Sequence, residues 1–239
     1  MRAIAFRNPS PLPGFGLAFG TAMTMLSIVV LVPIGALLLY GAHVGPGGVW
    51  EVVNRPRVWA ALRLSFLTSL YAALFNVVFG VALAWVLVRY RFWGRRLIDA
   101  AVDLPFALPT AVAGISLTAL YAPNGVFGAP LGALGIKVAY TPLGIWVALV
   151  FVSLPFVVRT VQPVIEEIDR EVEEVSATLG AYRARTLVRV ILPMLTPAVL
   201  TGFALALARA VGEYGSVIFI AGNLPNVTEI APLLIVIRL

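Results

Sequence analysis

Cysteine is absent from the 239-residue chain, and histidine occurs once, at His43. Disulfides, thiolate metal sites and thiol nucleophiles are therefore excluded, and a lone imidazole cannot build a metal cluster. Charge is scarce as well: Asp, Glu, Lys and Arg make up 12% of the residues against 61% hydrophobic, and the mean hydropathy is +0.99. Soluble domains carry about 25% charged residues, so this is the composition of an integral membrane protein. Lysine is nearly missing. Its single instance, Lys137, follows Ile136, so no GxxxxGK[ST] phosphate loop exists and any ATP energy must come from a partner.

Among the 17 cations, every one but Lys137 is arginine, and the net charge is +6. Nucleic acid would call for a clustered basic patch, whereas these arginines are dispersed between long apolar runs. Stretches free of Asp, Glu, Lys and Arg run over residues 8–50, 64–88, 104–136, 138–158 and 190–208. A crossing needs about 20 apolar residues to span a hydrocarbon core of roughly 30 Å. The pattern predicts an all-α membrane protein in one transmembrane domain, with five crossings near residues 17–41, 64–88, 104–121, 140–158 and 196–220. Proline is absent from the second, which is expected to be straight.

Orientation follows from the arginines. Arg2, Arg7, Arg89, Arg91, Arg95, Arg96, Arg159, Arg170, Arg183, Arg185 and Arg189 fall on one side, against Arg55, Arg57, Arg63 and Lys137 on the other. The positive-inside rule makes the N-terminus cytoplasmic and leaves membrane lipid as the surroundings of the bundle. The chain stops inside the apolar run APLLIVIRL, from which a missing sixth helix is expected.

Residues 159–194 form the longest cytoplasmic connection. Ile165, Ile168, Val172, Val175 and Leu179 recur at three- and four-residue steps, predicting one helix with an apolar face. Glu166, Glu167, Asp169, Glu171, Glu173 and Glu174 make its other face acidic, ill suited to an anionic leaflet. The segment either binds protein or packs against its own bundle. Gly180 after Leu179 suits a left-handed cap, which would turn the chain into a second short helix bearing Arg183, Arg185 and Arg189.

EVSATLG at 174–180, followed after nine residues by VILP at 190–193, resembles the E-A-A, Gly, I-x-L-P loop of the membrane subunits of type I ABC importers. Val175 and Ser176 stand where that family has two alanines. The resemblance implies a coupling helix seated on a separate ATPase subunit that binds ATP and Mg, with Glu173, Glu174, Leu179, Gly180, Leu192 and Pro193 as coupling residues. Further segments look like the T-type sulfate and thiosulfate permease subunits: DLPFALPTAVAG at 103–114, LYAPNG at 120–125, LPFVVRTVQPVIEE at 154–167 and ARAVGEYGSVIFIAGNLP at 208–225. The resemblance runs from PLPGFG at 11 to APLLIVI at 231. It implies a W-type paralogue as second permease subunit, a periplasmic or extracellular sulfate-binding protein, and a bacterial inner-membrane location. Molybdate and tungstate permeases share much of the pattern. A self-sufficient ion-coupled carrier would place ionisable groups in several spans, and a membrane enzyme would need a His, Cys or paired-carboxylate constellation.

Only the fifth predicted crossing carries charges at depth, Arg209 and Glu213, four residues apart. Burying each costs at least about 2.5 kcal/mol, so they should face the bundle and each other, as a structural pair or as part of a pathway. Tyr214, Gly215 and Ser216 adjoin them. Pro109 and Thr110, preceded by Pro105, mark either a pore-shaping break or a kinked helix start. Asp99 and Asp103 read as anions favoured by a helix N-terminus, and His43 as incidental in a Gly-Pro loop.

Overall fold

The computed structural model describes residues 14–169 and 171–238, so Arg2, Arg7, Arg170 and the prolines of PLPGFG lie outside the described residues. The chain divides into two units, one ending at Arg55 and the other beginning at Pro56.

In the first unit, α1 (Phe15–Leu26) continues through a π turn at Ser27–Leu31 into α2 (Val32–Val53). The sequence there is apolar all round and none of its residues is buried. The hydroxyls of Thr21 and Thr24 donate back to Leu17 and Gly20 at 2.9 and 2.8 Å, which satisfies them without water. Pro33 has no N–H to close an α turn, and the widened turn sits just before it. His43 lies in α2 rather than in a loop; the break comes two residues later at Gly45 (φ 74°, ψ 162°), because a residue before proline is driven out of the helical region.

The second unit is built on three long helices. α3 (Pro56–Arg89) runs 34 residues without proline after its first position. Its buried face is a ladder of small residues, Ala61, Ser65, Ser69, Ala72, Ala73, Asn76, Gly80 and Ala84. In lipid no hydrophobic force drives helices together, so small side chains that let backbones approach are what permit tight packing. Against this face lie α8 (Pro142–Glu167) and α11 (Leu192–Val211), which bury Ile145, Val157, Val161 and Ile165 from one and Leu195, Ala198, Gly202 and Ala206 from the other. Asn76 fastens the seam, donating to the Val150 carbonyl at 3.0 Å and to Ser153 Oγ at 2.9 Å.

Between α3 and α8 come α4 (Arg95–Val102), α5 (Leu104–Ala107), α6 (Thr110–Tyr121) and α7 (Gly128–Ala133). The predicted crossing at 104–121 is thus interrupted: Leu108 is extended (φ −92°, ψ 135°) because it precedes Pro109. After α8, α9 (Glu171–Thr178) and α10 (Arg183–Thr186) lead through a π turn at Leu187–Ile191 into α11. The crossing predicted at 196–220 stops at Val211, and α12 (Val217–Ile220) and α13 (Ala231–Arg238) follow. Every element among the described residues is helical. Four helices are long and apolar enough to cross a membrane, and Thr110–Tyr121 is a shorter apolar one, so five is an approximate count.

Candidate functional site: a helix elbow and a buried ion pair

The acidic segment is not one helix. α8 ends at Glu167, Ile168 is extended (φ −74°, ψ 112°), and α9 starts at Glu171. The fresh start puts Glu171, Glu173 and Glu174 in a first turn, where the macrodipole favours them, while Glu166 and Glu167 fall in the last turn of α8, where it does not. Ile165 and Ile168 belong to the core, while Val175 and Leu179 are 55% and 82% exposed, so the predicted apolar face is divided between two surroundings.

α9 ends in a Schellman cap. The Ala181 N–H donates to Ser176 O at 3.0 Å, the Gly180 N–H to Ala177 O at 3.0 Å, and Gly180 takes φ 80°. The left-handed glycine after Leu179 is the conformation that the sequence predicts. Glu173 pairs with Arg89 at 3.3 Å, and Arg89 also donates to the Ile168 carbonyl at 2.9 Å, tying the end of α3 to the elbow. Glu174 is exposed, as are Leu192 and Pro193. Those last two lie beyond the π turn inside a continuous 29-residue helix, Arg183–Val211, rather than at its entrance.

Arg209 and Glu213 do pair, but not along one helix. Arg209 is in the last turn of α11 and Glu213 lies beyond the Gly212 stop (φ −85°, ψ 2°). One Glu213 oxygen accepts from Arg209, and the other accepts from the Ser216 N–H and Oγ, both at 2.8 Å. The carboxylate is buried, with its side chain 2% exposed, whereas that of Arg209 is 31% exposed and reaches the surface of the unit. The charge of Glu213 is thus satisfied within the chain, as irregular segments at membrane depth require of their polar groups.

The other predicted pathway residues converge only in part. Thr110 lies against Gly215: a Cβ built there would meet Thr110 Oγ1 at 2.2 Å. One turn along α6, a Cβ on Gly114 would stand 2.4 Å from the Ser216 carbonyl oxygen. The start of α6 is therefore pressed onto the loop that carries Glu213. Pro109 precedes α6 and is exposed, and Tyr214 is half-buried against a core cluster.

Besides Arg89–Glu173, two more buried or part-buried ion-pair sets escaped the sequence reading. Arg57 at the start of α3 makes a bidentate pair with buried Glu229, both bonds 2.7 Å. Arg159 in α8 binds Asp99 and Asp103, so those carboxylates hold a guanidinium rather than a helix N-terminus: Asp99 sits in the second half of α4 and Asp103 behind it. A lone arginine in an apolar helix, together with two aspartates four apart, was the available signal.

Comparison with known proteins bears on the whole chain. Residues 76–232 match the family described as binding-protein-dependent transport system inner membrane component. The chain is 50% identical over 228 residues to the sulfate transport system permease protein CysT of Escherichia coli (strain K12), covering 95% of this chain and 82% of that protein. To the protein of the same name from Synechocystis sp. (strain ATCC 27184 / PCC 6803 / Kazusa) it is 48% identical over 214 residues, 90% of this chain and 75% of that one. With all its described elements helical, residues 76–232 matching the family and 50% identity to such a permease over 95% of its length, the chain belongs to the family of binding-protein-dependent transport system inner membrane components, the permease subunits of ABC importers.

Proposed function

We propose that this chain is the T-type permease subunit of an ATP-driven sulfate and thiosulfate importer, contributing half of the translocation pathway. The near 50% identity to sulfate permeases across almost the entire chain carries the reading. In it, the N-terminus is cytoplasmic and the segment at about 159–194 couples the bundle to a separate ATPase subunit, which holds ATP and Mg. A W-type paralogue supplies the other half of the pathway, and a periplasmic or extracellular binding protein delivers the anion. Val175 and Leu179 support the docking role: they are 55% and 82% exposed on and just after α9, whose acidic charge disfavours lipid.

The test is purification of the native assembly with its subunits identified by mass, together with uptake by a deletion strain. An ATPase and a second permease are expected to co-purify, the isolated chain is expected to show no ATP turnover, and sulfate uptake is expected to be lost and to be competed by thiosulfate. Loss of molybdate uptake with sulfate uptake untouched would refute the substrate assignment.

The elbow makes a sharper prediction. No atom lies within 4 Å of where a Gly180 Cβ would stand, so a side chain there meets only the backbone penalty of φ 80°. Gly180→Val is expected to cost about 1–2 kcal/mol and to reduce the ATPase recovered with the complex, while Gly180→Asn, which tolerates that conformation, keeps it. Equal recovery with both variants would mean that the segment is only a loop packed on its own bundle.

A further inference from the structure

Arg159 is the one arginine of α8, and its guanidinium engages five acceptors. Nε donates to Asp103 Oδ1 at 2.8 Å and Nη2 to Asp103 Oδ2 at 2.7 Å, a two-pronged grip on one carboxylate. Nη1 donates to Asp99 Oδ1 and to Gln162 Oε1, both at 2.6 Å, and Nη2 reaches the Asp99 backbone carbonyl at 2.8 Å. Isolated surface pairs contribute little, but a single side chain satisfied by two carboxylates, an amide and a carbonyl fixes a relative position of two elements.

What it fixes is a joint. Asp103 is the single residue between α4 and α5, and Asp99 stands one turn before it. Phe106 of α5 meets Phe156 of α8 edge-on, centroids 5.2 Å apart, three residues before Arg159 on the same helix. Four residues of α5 then lead to the Leu108–Pro109 break and to α6, whose Thr110 and Gly114 press on Gly215 and Ser216. At its far end α8 runs into Ile168, whose carbonyl is held by the Arg89 that also pairs with Glu173 of α9. A contiguous set of contacts therefore joins the elbow to the loop carrying Glu213.

We propose that Arg159 is a positioning residue that makes the α4–α5 joint move with α8, so that displacement of α9 reaches the break before α6 and the Glu213 loop. The inference rests on the reading of α9 as the segment docked on an ATPase. A staple that merely stabilises the bundle would affect the amount of folded complex; a transmitting joint affects the anion moved per ATP hydrolysed.

The experiment measures that ratio in vesicles containing the whole complex and its binding protein. Arg159→Gln is expected to assemble with unchanged subunit proportions and to lower uptake per ATP by about tenfold, within the usual range of coupling between sites. This chain has no cysteine of its own, so with the other subunits made cysteine-free Arg159→Cys with Asp103→Cys can be bridged selectively by a bifunctional thiol reagent. Bridging is expected to restore the ratio, and blocking each thiol separately is expected not to. A wild-type ratio in Arg159→Gln, or a fully bridged variant that stays uncoupled, overturns the proposal. Should Arg159→Gln fail to assemble, Asp99→Asn leaves the Asp103 grip in place and is expected to show a smaller fall in the same ratio; no fall overturns it. Amide exchange on the purified chain separates this inference from the functional reading. Residues 95–107 are expected to exchange faster in Arg159→Gln whether or not an ATPase is the partner, and unchanged exchange overturns the joint itself.

Discussion

Gly114→Ala is expected to lower anion uptake by the assembled complex by more than tenfold. The added methyl would stand 2.4 Å from the Ser216 carbonyl oxygen, 2.7 Å from its Cα and 2.9 Å from its carbonyl carbon. These are backbone atoms, so no rotamer change can make room, and either α6 or the loop must shift. Overpacking of this kind costs typically about 1–3 kcal/mol, and every 1.4 kcal/mol is a factor of ten. Here the displacement falls on Ser216, which is fully buried and whose N–H and hydroxyl hold one oxygen of Glu213. Gly132→Ala is the control: it too is helical, but no atom lies within 4 Å of its Cβ position, and uptake is expected to stay at the wild-type level. Uptake in reconstituted vesicles measures both. Wild-type transport by Gly114→Ala would show that the contact between α6 and the loop does not hold the working geometry.

The second large effect is expected at the ion pair, and burial makes it asymmetric. Arg209→Gln strands a carboxylate whose side chain is 2% exposed, leaving it only the two Ser216 donors. Removing one partner of a buried pair costs about 3–5 kcal/mol, which sets the upper bound here because Arg209 is itself partly exposed. Glu213→Gln keeps an acceptor for Ser216, and the freed guanidinium, 31% exposed at the surface of the unit, is less confined than the carboxylate. Thermal stability is therefore expected to fall further in Arg209→Gln than in Glu213→Gln, and the double variant is expected to recover most of it. Uptake then separates the two roles. A double variant that assembles and transports marks a structural pair; one that assembles without transporting places the Arg209 cation in the anion's path, where a dianion needs compensating charge. Equal destabilisation by the two single variants would contradict the asymmetry read from burial.

The parts of this molecule legible in sequence are those written in local pattern. Uncharged runs mark α3, α8 and α11, because a hydrocarbon solvent admits little else, and the glycine after an amphipathic stretch marks the cap at Gly180. Hydropathy is blind to backbone direction, however. The stop after Val211 falls between Arg209 and Glu213, whose four-residue spacing also fits an unbroken helix, whereas Pro109 does mark the division of α5 from α6. The three- and four-residue spacing from Ile165 to Leu179 passes unbroken across a bend at Ile168, since periodicity records which residues are apolar and not whether they share an axis. Arg159 finds its carboxylates 56 and 60 residues away, a match that tertiary packing alone creates.

The π turn at Leu187–Ile191 sets the azimuth of the elbow. A π turn accommodates one residue more than an α turn, and each α-helical residue accounts for about 100° of rotation. Arg183 and Arg185 consequently face a direction about 100° away from the one a helical wheel drawn straight through VILP would assign them. The compass bearing of Arg183 and Arg185 relative to the buried stripe Leu195, Ala198, Gly202 and Ala206 is thus decided by one surplus residue ahead of Pro193.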